Sequence, residues 1–262
     1  MSRSVAVVIL AAGSGSRLMP VTADRPKCMV SLAGRPLIER QLNVLAAHDI
    51  GDITVVGGYQ AECLKSLGVS LIINPDYQTT NMVWTMMCAR ALFDGKRDIV
   101  MTYGDIVYEP RVLQAILQAK GPMVVAADRR WLDLWALRME SPLDDAETFS
   151  VKSDGTLAEL GQKPSSLDQI EGQYLGLVRF DKEIHGDLLT LYDRLQATLG
   201  QDDPAFRNLY MTDFLQAMIN AGWTVRIAWT ENGWLEVDTT QDLEVYENLH
   251  QTGGLASICR LD

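Results

Sequence analysis

Val5-Ala6-Val7-Val8-Ile9-Leu10-Ala11-Ala12-Gly13-Ser14-Gly15-Ser16-Arg17-Leu18 is the stretch on which the fold turns. Val5 to Leu10 is short, apolar and rich in β-branched residues, the composition of a strand buried in a sheet. The turn Gly13-Ser14-Gly15 that ends it can bend tightly and bring backbone N–H groups close to anionic oxygens. A dinucleotide fingerprint would place a third glycine at position 18, where Leu18 stands. The Gly-Lys-Ser/Thr of a P-loop is missing too. By itself the pattern fits either a phosphate-binding turn or a plain strand-to-helix connection.

Working outward, strand-like and helix-like segments alternate along most of the chain, which predicts an α/β domain with a mostly parallel sheet flanked by helices. Short strands are expected near 29–32, at 53–56, 70–74, 99–103 and 123–127. Helices are expected from Pro36, with a stripe of Leu37, Ile38, Leu42 and Leu45, then over 61–67, over 82–92 behind a Thr80-Asn81 cap, and over 110–118. After residue 128 the pattern shifts. Residues 131–140 are rich in aromatics, and 148–160 alternates around Ser153-Asp154-Gly155, a hairpin signal. A strand over 174–180, helices over 183–199 and 212–221, a strand over 225–229 and a final helix over 240–249 follow. The second half reads as a small β-rich insertion around the sheet edge that supplies a substrate pocket. Residues 1–262 are therefore taken as one domain: a core at 1–128, an acceptor-binding part with a metal-binding strand at 129–238, and a C-terminal helix and tail at 239–262.

The 262 residues are 47% hydrophobic and carry a net charge of −11. That length can bury one full core, and that charge argues against nucleic acid as the main partner. An anionic substrate would need cations or a metal placed locally. Cys28, Cys63, Cys88 and Cys259 lack C-x-x-C spacing, so reduced thiols are expected rather than a zinc site or disulfides. The apolar opening is too brief for a secretory signal and passes directly into the glycine turn. No segment reaches the roughly 18 apolar residues of a membrane span. A soluble, cytoplasmic protein is expected, and no pattern speaks to oligomeric state.

Two acidic positions stand at strand ends. Residues 99–103 lead into Gly104-Asp105, and the carboxyl end of a parallel strand is where α/β sheets present ligands. In Trp234-Leu235-Glu236-Val237-Asp238-Thr239, strand periodicity puts Glu236 and Asp238 on one face. Magnesium uses one or two carboxylates together with phosphate oxygens, a number that Asp105 and Asp238 supply. A turn-capping role for Asp105 is the alternative. No Ser-His-Asp set is visible, and His48, His185 and His250 read as ordinary helix or surface residues.

Residues 10–18, followed by Pro20, Thr22, Pro26-Lys27 and Gly34-Arg35-Pro36-Leu37-Ile38, resemble the sugar-phosphate nucleotidyltransferase superfamily. The resemblance is densest over the first forty residues, and the downstream markers extend it along the chain. It implies a Rossmann-like nucleotide-diphospho-sugar transferase fold. The turn Leu10, Ala11, Ala12, Gly13, Ser14 and Gly15 would then wrap a triphosphate. Arg17 and Lys27 would bind its charge as catalytic residues. Asp105 and Asp238 would hold the magnesium ion, with Glu236 beside them or toward the acceptor. The chemistry suits these residue types, because in-line attack at an α-phosphorus spreads negative charge that a guanidinium fork, an ammonium and backbone N–H groups can meet.

Asn74-Pro75-Asp76-Tyr77-Gln78-Thr79-Thr80-Asn81-Met82-Val83-Trp84-Thr85 departs from the Gln-Pro and Gly-Leu pattern of sugar-1-phosphate enzymes. It is similar to the phosphocholine cytidylyltransferase branch, which includes aminoethylphosphonate cytidylyltransferase-like enzymes. That branch implies CTP as nucleotide, with Thr80, Asn81 and Thr85 facing the base. Its acceptors are small phosphates or phosphonates bearing an amine. Trp131, Trp135, Tyr174 and Trp234 beside acidic residues could cage an ammonium group, although core packing is the competing reading. Among the acidic residues, Glu147 matches the branch's acceptor contact, while Asp144 and Asp145 suit a solvated loop. Lys163 in Gly161-Gln162-Lys163-Pro164 stands where sugar nucleotidyltransferases show Glu-Lys-Pro, and implies a contact to the acceptor phosphate. A sugar-1-phosphate nucleotidyltransferase is the alternative within the class. A catalytically inactive nucleotide-binding regulator is the alternative outside it.

Overall fold

The structure is a computed structural model and describes residues 4–261. Its first strand, β1 (Val5–Ala11), is followed by two short 3₁₀ turns, at Ser16–Leu18 and Lys27–Met29. A two-residue ladder of β2 (Ser31–Leu32) and β3 (Arg35–Pro36) leads into α1 (Leu37–Ala46), β4 (Ile53–Gly57) and β5 (Ser70–Ile73). Next come α2 (Met82–Cys88), β6 (Asp98–Tyr103), β7 (Ile106–Tyr108), α3 (Pro110–Gln118), β8 (Met123–Asp128) and α4 (Trp131–Arg138). A hairpin of β9 (Phe149–Val151) and β10 (Leu157–Leu160) precedes β11 (Gln173–Phe180), α5 (His185–Leu199), α6 (Pro204–Arg207) and α7 (Met211–Asn220). The chain closes with β12 (Val225–Thr230), β13 (Trp234–Glu236) and α8 (Thr240–Thr252).

Seven strands form one sheet in the order β12-β8-β11-β6-β1-β4-β5. All neighbours run parallel except β11, which is antiparallel to both β6 and β8. The alternation of β1 splits the core into two layers. Val7, Ile9 and Ala11 pack on the face covered by α1 and α3, and Val8 and Leu10 on the face covered by α2, α5 and α7. Both faces are dry, which is why this strand reads as one continuous apolar run.

Several elements differ from expectation. Pro36 ends β3 and serves as the N-cap of α1 instead of occupying its first turn. Residues 27–29 are a 3₁₀ turn, not the beginning of a strand, and 61–67 is 3₁₀ throughout. Asn81 caps the next helix, accepting from the Met82 N–H at 2.8 Å, yet that helix ends at Cys88 and tightens into a 3₁₀ turn over 90–92. The second half is not confined to the sheet edge. In β11, Leu175, Leu177, Val178 and Phe180 are all fully buried, so both its faces are covered, and its two edges pair with β6 and β8. The β9–β10 hairpin forms a two-stranded sheet of its own, and β13 pairs with β7 outside the main sheet. Among the described residues no helix is long and apolar enough to cross a membrane.

Candidate active site

From β1 the chain order proceeds outward to β4 and β5 on one side and crosses to β6 on the other. The connections leaving the carboxyl ends of β1 and β6 therefore diverge, opening the crevice in which α/β sheets bind ligands. A cleft lies there, lined by Leu10, Ala11, Ala12 and Gly13 after β1, and by Tyr103, Gly104 and Asp105 after β6. Tyr77, Thr80, Asn81, Met82 and Thr85 form its other wall, with Lys27 and Cys28 closing one end.

The glycine turn has two distinct jobs. Gly15 adopts φ 63°, and a Cβ there would come within 3.0 Å of the Lys27 Cβ and 3.1 Å of the Thr22 methyl. Only glycine allows the turn to pass so close to Lys27. Buried Thr22 donates to the Gly15 carbonyl at 2.9 Å and locks that approach. Gly13 faces open space, with nothing within 4 Å of a built Cβ, and it lines the cleft. Ser14 is exposed beside it.

Two antiparallel strands bring the acidic residues together. Glu236 of β13 pairs with Ile106 of β7, and the Val237 N–H donates to the Asp105 carbonyl at 3.1 Å. The carboxylates of Asp105, Glu236 and Asp238 consequently lie within 4.8 Å of one another. Lys27 reaches between two of them, donating to Asp105 at 2.6 Å and to Asp238. Arg17, more than half exposed, stands 3.1 Å from the same Asp238 oxygen. Asp238 lies just past the end of β13, and buried Asp242 accepts from its N–H at 2.9 Å.

Burial works against charge on Lys27, but the carboxylates of Asp105, Asp238 and Glu236 outweigh it and raise its pKa. Burial likewise works to raise Asp238, and Lys27, Arg17 and Arg138 together hold it below the usual carboxylate range. For Glu236, burial and then the charge of Asp238 push upward while Arg138 opposes them. The Asp105 Oδ1 atom is buried and has no hydrogen-bond partner among the described residues. Hard oxygen donors, one of them unpartnered, fit a magnesium-sized divalent cation.

Thr80, Asn81 and Thr85, expected to face a base, line the cleft with their polar groups engaged locally. Buried Asn74 donates to the hydroxyls of Thr80 and Thr85, both at 3.0 Å. Those hydroxyls donate in turn to the carbonyls of Asp76 and Asn81. Thr80 and Thr85 thus shape the wall more than they offer a free edge.

The aromatic cage is corrected. Trp131 and Trp135 are 5% and 4% exposed and meet edge to face at 5.7 Å, with Trp234 packed 6.0 Å from Trp135. The cation over Trp135 is the chain's own, because the Arg138 guanidinium lies 5.3 Å from that ring. The i, i+4 face of α4 turns inward against α8 and the core, not toward a ligand. Lys163 donates to the carbonyls of Leu143 and Asp144 at 2.5 and 2.6 Å, tying down the loop before β9. Glu147 is half-buried, its backbone clasped by Gln173. Burial, then Asp213 and Asp145, push its carboxyl up to about 7. Its charge reaches Tyr174 and Tyr103, whose phenols are raised by burial first and by this carboxylate in addition. Those two rings meet edge to face at 5.9 Å.

Three contributors escaped the sequence reading. Tyr103 lines the cleft because Gly176, at φ 78°, leaves room where a Cβ would strike its ring at 2.3 Å. Its position at the end of β6, two residues before Asp105, was the available signal. Arg138 and Asp242 support the acidic cluster, and Arg138 stands at i+7 from Trp131, on the face those indoles share.

A cleft at the switch point of a mostly parallel sheet, with two cations and three carboxylates at one end, defines a nucleotide-handling α/β enzyme. The family described as the MobA-like NTP transferase domain matches residues 7–174, and the chain belongs to it. It is a nucleotidyltransferase. The CTP:phosphoglutamine cytidylyltransferase of Campylobacter jejuni is 38% identical over 247 residues, covering 91% of this chain and 97% of that protein. The CMP-5'-(3-aminopropyl)phosphonate synthase of Streptomyces rubellomurinus is 31% identical over 91% of this chain, which spans 37% of that longer protein. Among solved structures, the CTP:phosphocholine cytidylyltransferase of Streptococcus pneumoniae superposes with a TM-score of 0.73 at 20% identity, over 94% of this chain and 99% of that one. That likeness establishes the shared fold, the mostly parallel sheet flanked by helices expected from the sequence.

Proposed function

We propose that this enzyme transfers CMP from CTP to a small phosphate or phosphonate acceptor that carries an amine, with magnesium as its metal. The observation that carries the proposal is the cluster at the cleft's end, where Arg17 and Lys27 converge on Asp105 and Asp238 beside the glycine turn. The relatives' names support cytidine as the base, and two of them name a phosphonate amine and a phosphorylated amino acid as the acceptor part.

In the reaction, an oxygen of the acceptor's phosphate or phosphonate attacks the α-phosphorus of CTP. The bond from that phosphorus to its β-bridging oxygen breaks, and pyrophosphate leaves with the electron pair. Arg17 and Lys27 meet the charge that develops on the nonbridging and departing oxygens. Residues 10–15 present backbone to the phosphates, while the amide of Asn81 and the wall shaped by Thr80 and Thr85 receive the base. Asp105 and Asp238 hold the magnesium ion, which when bound neutralises triphosphate charge and orients its oxygens. Glu147, whose charge reaches Tyr174 and the cleft residue Tyr103, receives the acceptor's ammonium group.

The test is pyrophosphate release with CTP, UTP, ATP and GTP, each with and without magnesium. Each is offered phosphocholine, 2-aminoethylphosphonate, 3-aminopropylphosphonate, phosphoglutamine and glucose 1-phosphate. Turnover with CTP and an amine-bearing acceptor supports the proposal. Turnover restricted to glucose 1-phosphate would overturn the acceptor assignment.

A further inference from the structure

Arg138 ends α4 with a side chain only 2% exposed, and three carboxylates surround it. Its Nη1 donates to Glu236 at 2.8 Å, its Nε donates to Asp242 at 3.1 Å, and its Nη2 lies 3.6 Å from the Oδ2 of Asp238. The opposite oxygen of Asp238, Oδ1, is the one that meets Lys27 and Arg17. Asp242 in turn accepts from the N–H groups of Asp238 and Thr239, both at 2.9 Å. One guanidinium therefore bonds Glu236 and Asp242 directly, its Nη2 also donating to Asp242 at 3.5 Å, and stands as an ion pair beside the Oδ2 of Asp238, while Asp242 pins the Asp238 backbone.

We propose that Arg138 is a positioning residue for the reaction: it holds Glu236 aside and orients Asp238 so that a single oxygen, Oδ1, faces the cleft beside Asp105. Removing charge from water is tolerable here because the fork geometry satisfies several oxygens together. A lysine would keep the charge but not the fork, since a point charge cannot span three carboxylates held by the end of β13, the segment just after it and α8. The inference rests on the reading that Asp105 and Asp238 hold the metal.

The experiment measures Mn2+ binding by electron paramagnetic resonance on the full chain, with α,β-methylene CTP present and no acceptor. Wild type, Arg138→Lys and Asp238→Ala are compared, together with analogue affinity in the absence of metal. The expected result for Arg138→Lys is Mn2+ affinity weakened on the order of 10- to 100-fold, as for other residues that orient metal ligands, with metal-free analogue affinity unchanged. A folded Arg138→Lys that binds Mn2+ within about twofold of wild type overturns the inference. Wild type without nucleotide-dependent Mn2+ binding, or Asp238→Ala binding it equally well, overturns the metal reading beneath it and this inference too. Should Arg138→Lys fail to fold, Asp242→Asn, which loosens the guanidinium's Nε anchor, is judged by the same loss. If neither variant folds, Arg138 is a structural residue and the proposal falls.

Discussion

The ammonium nitrogen of Lys27 lies 2.6 Å from a carboxylate oxygen of Asp105, although the two residues stand 78 positions apart. The same nitrogen contacts Asp238. The lysine is therefore the counterion of both carboxylates assigned to the metal, and a triphosphate would have to draw it away.

Lys27→Ala is expected to have two opposite effects. Pyrophosphate release should fall on the order of 10²- to 10³-fold, the cost of losing one donor to developing charge. Mn2+ binding without nucleotide should become tighter than in wild type, because the carboxylates lose their resident cation. Titration by electron paramagnetic resonance reads the second effect directly, and unchanged binding would show that Lys27 does not shield the site.

The two glycines of the turn should separate stability from binding. Gly15→Ala forces a side chain into a left-handed backbone against Lys27, so a lower melting temperature is expected, from a strain of about 1–2 kcal/mol. Gly13→Ala meets nothing within 4 Å, so its melting temperature should match wild type while its KM for CTP rises. Thermal denaturation and steady-state kinetics on both variants check the pair.

Glu147 predicts a pH signature with a definite sign. Its carboxyl is raised to about 7, so it becomes charged only as pH climbs through that value. The KM for an amine-bearing acceptor should therefore rise as pH falls below about 7, and Glu147→Gln should flatten that dependence. Stability runs the other way. A carboxyl raised on folding contributes stability that is present below its ordinary value and is lost as pH rises through about 7. Glu147→Gln should accordingly raise the melting temperature at pH 8 more than at pH 5.

Trp135→Ala tests whether that indole is core. With 4% exposure and contacts to Trp131, Trp234 and Arg138, truncation should destabilise the fold by about 3–5 kcal/mol in urea unfolding. A variant that unfolds like wild type and loses only acceptor affinity would restore the cage.

Local physics determined much of this protein from the sequence alone. The apolar, β-branched run of Val5 to Leu10 demanded a sheet buried on both faces. The glycines after it and the acidic strand end at Asp105 marked where a ligand would sit, because strand ends and tight turns are decided within a few residues. Tertiary structure decided what depends on distant segments meeting. Pairing of β13 with β7 brought Asp238 beside Asp105, and interior burial drew β11 to the centre of the sheet instead of its edge. Trp131 and Trp135 carried a spacing that served a ligand face and a core face equally well, since helical periodicity states which residues share a side but not what covers it. The structure covered it with Trp234 and Arg138. Arg138 shows the limit most plainly: its three carboxylate partners lie 98 to 104 residues further along the chain, and only folding sets them around one guanidinium.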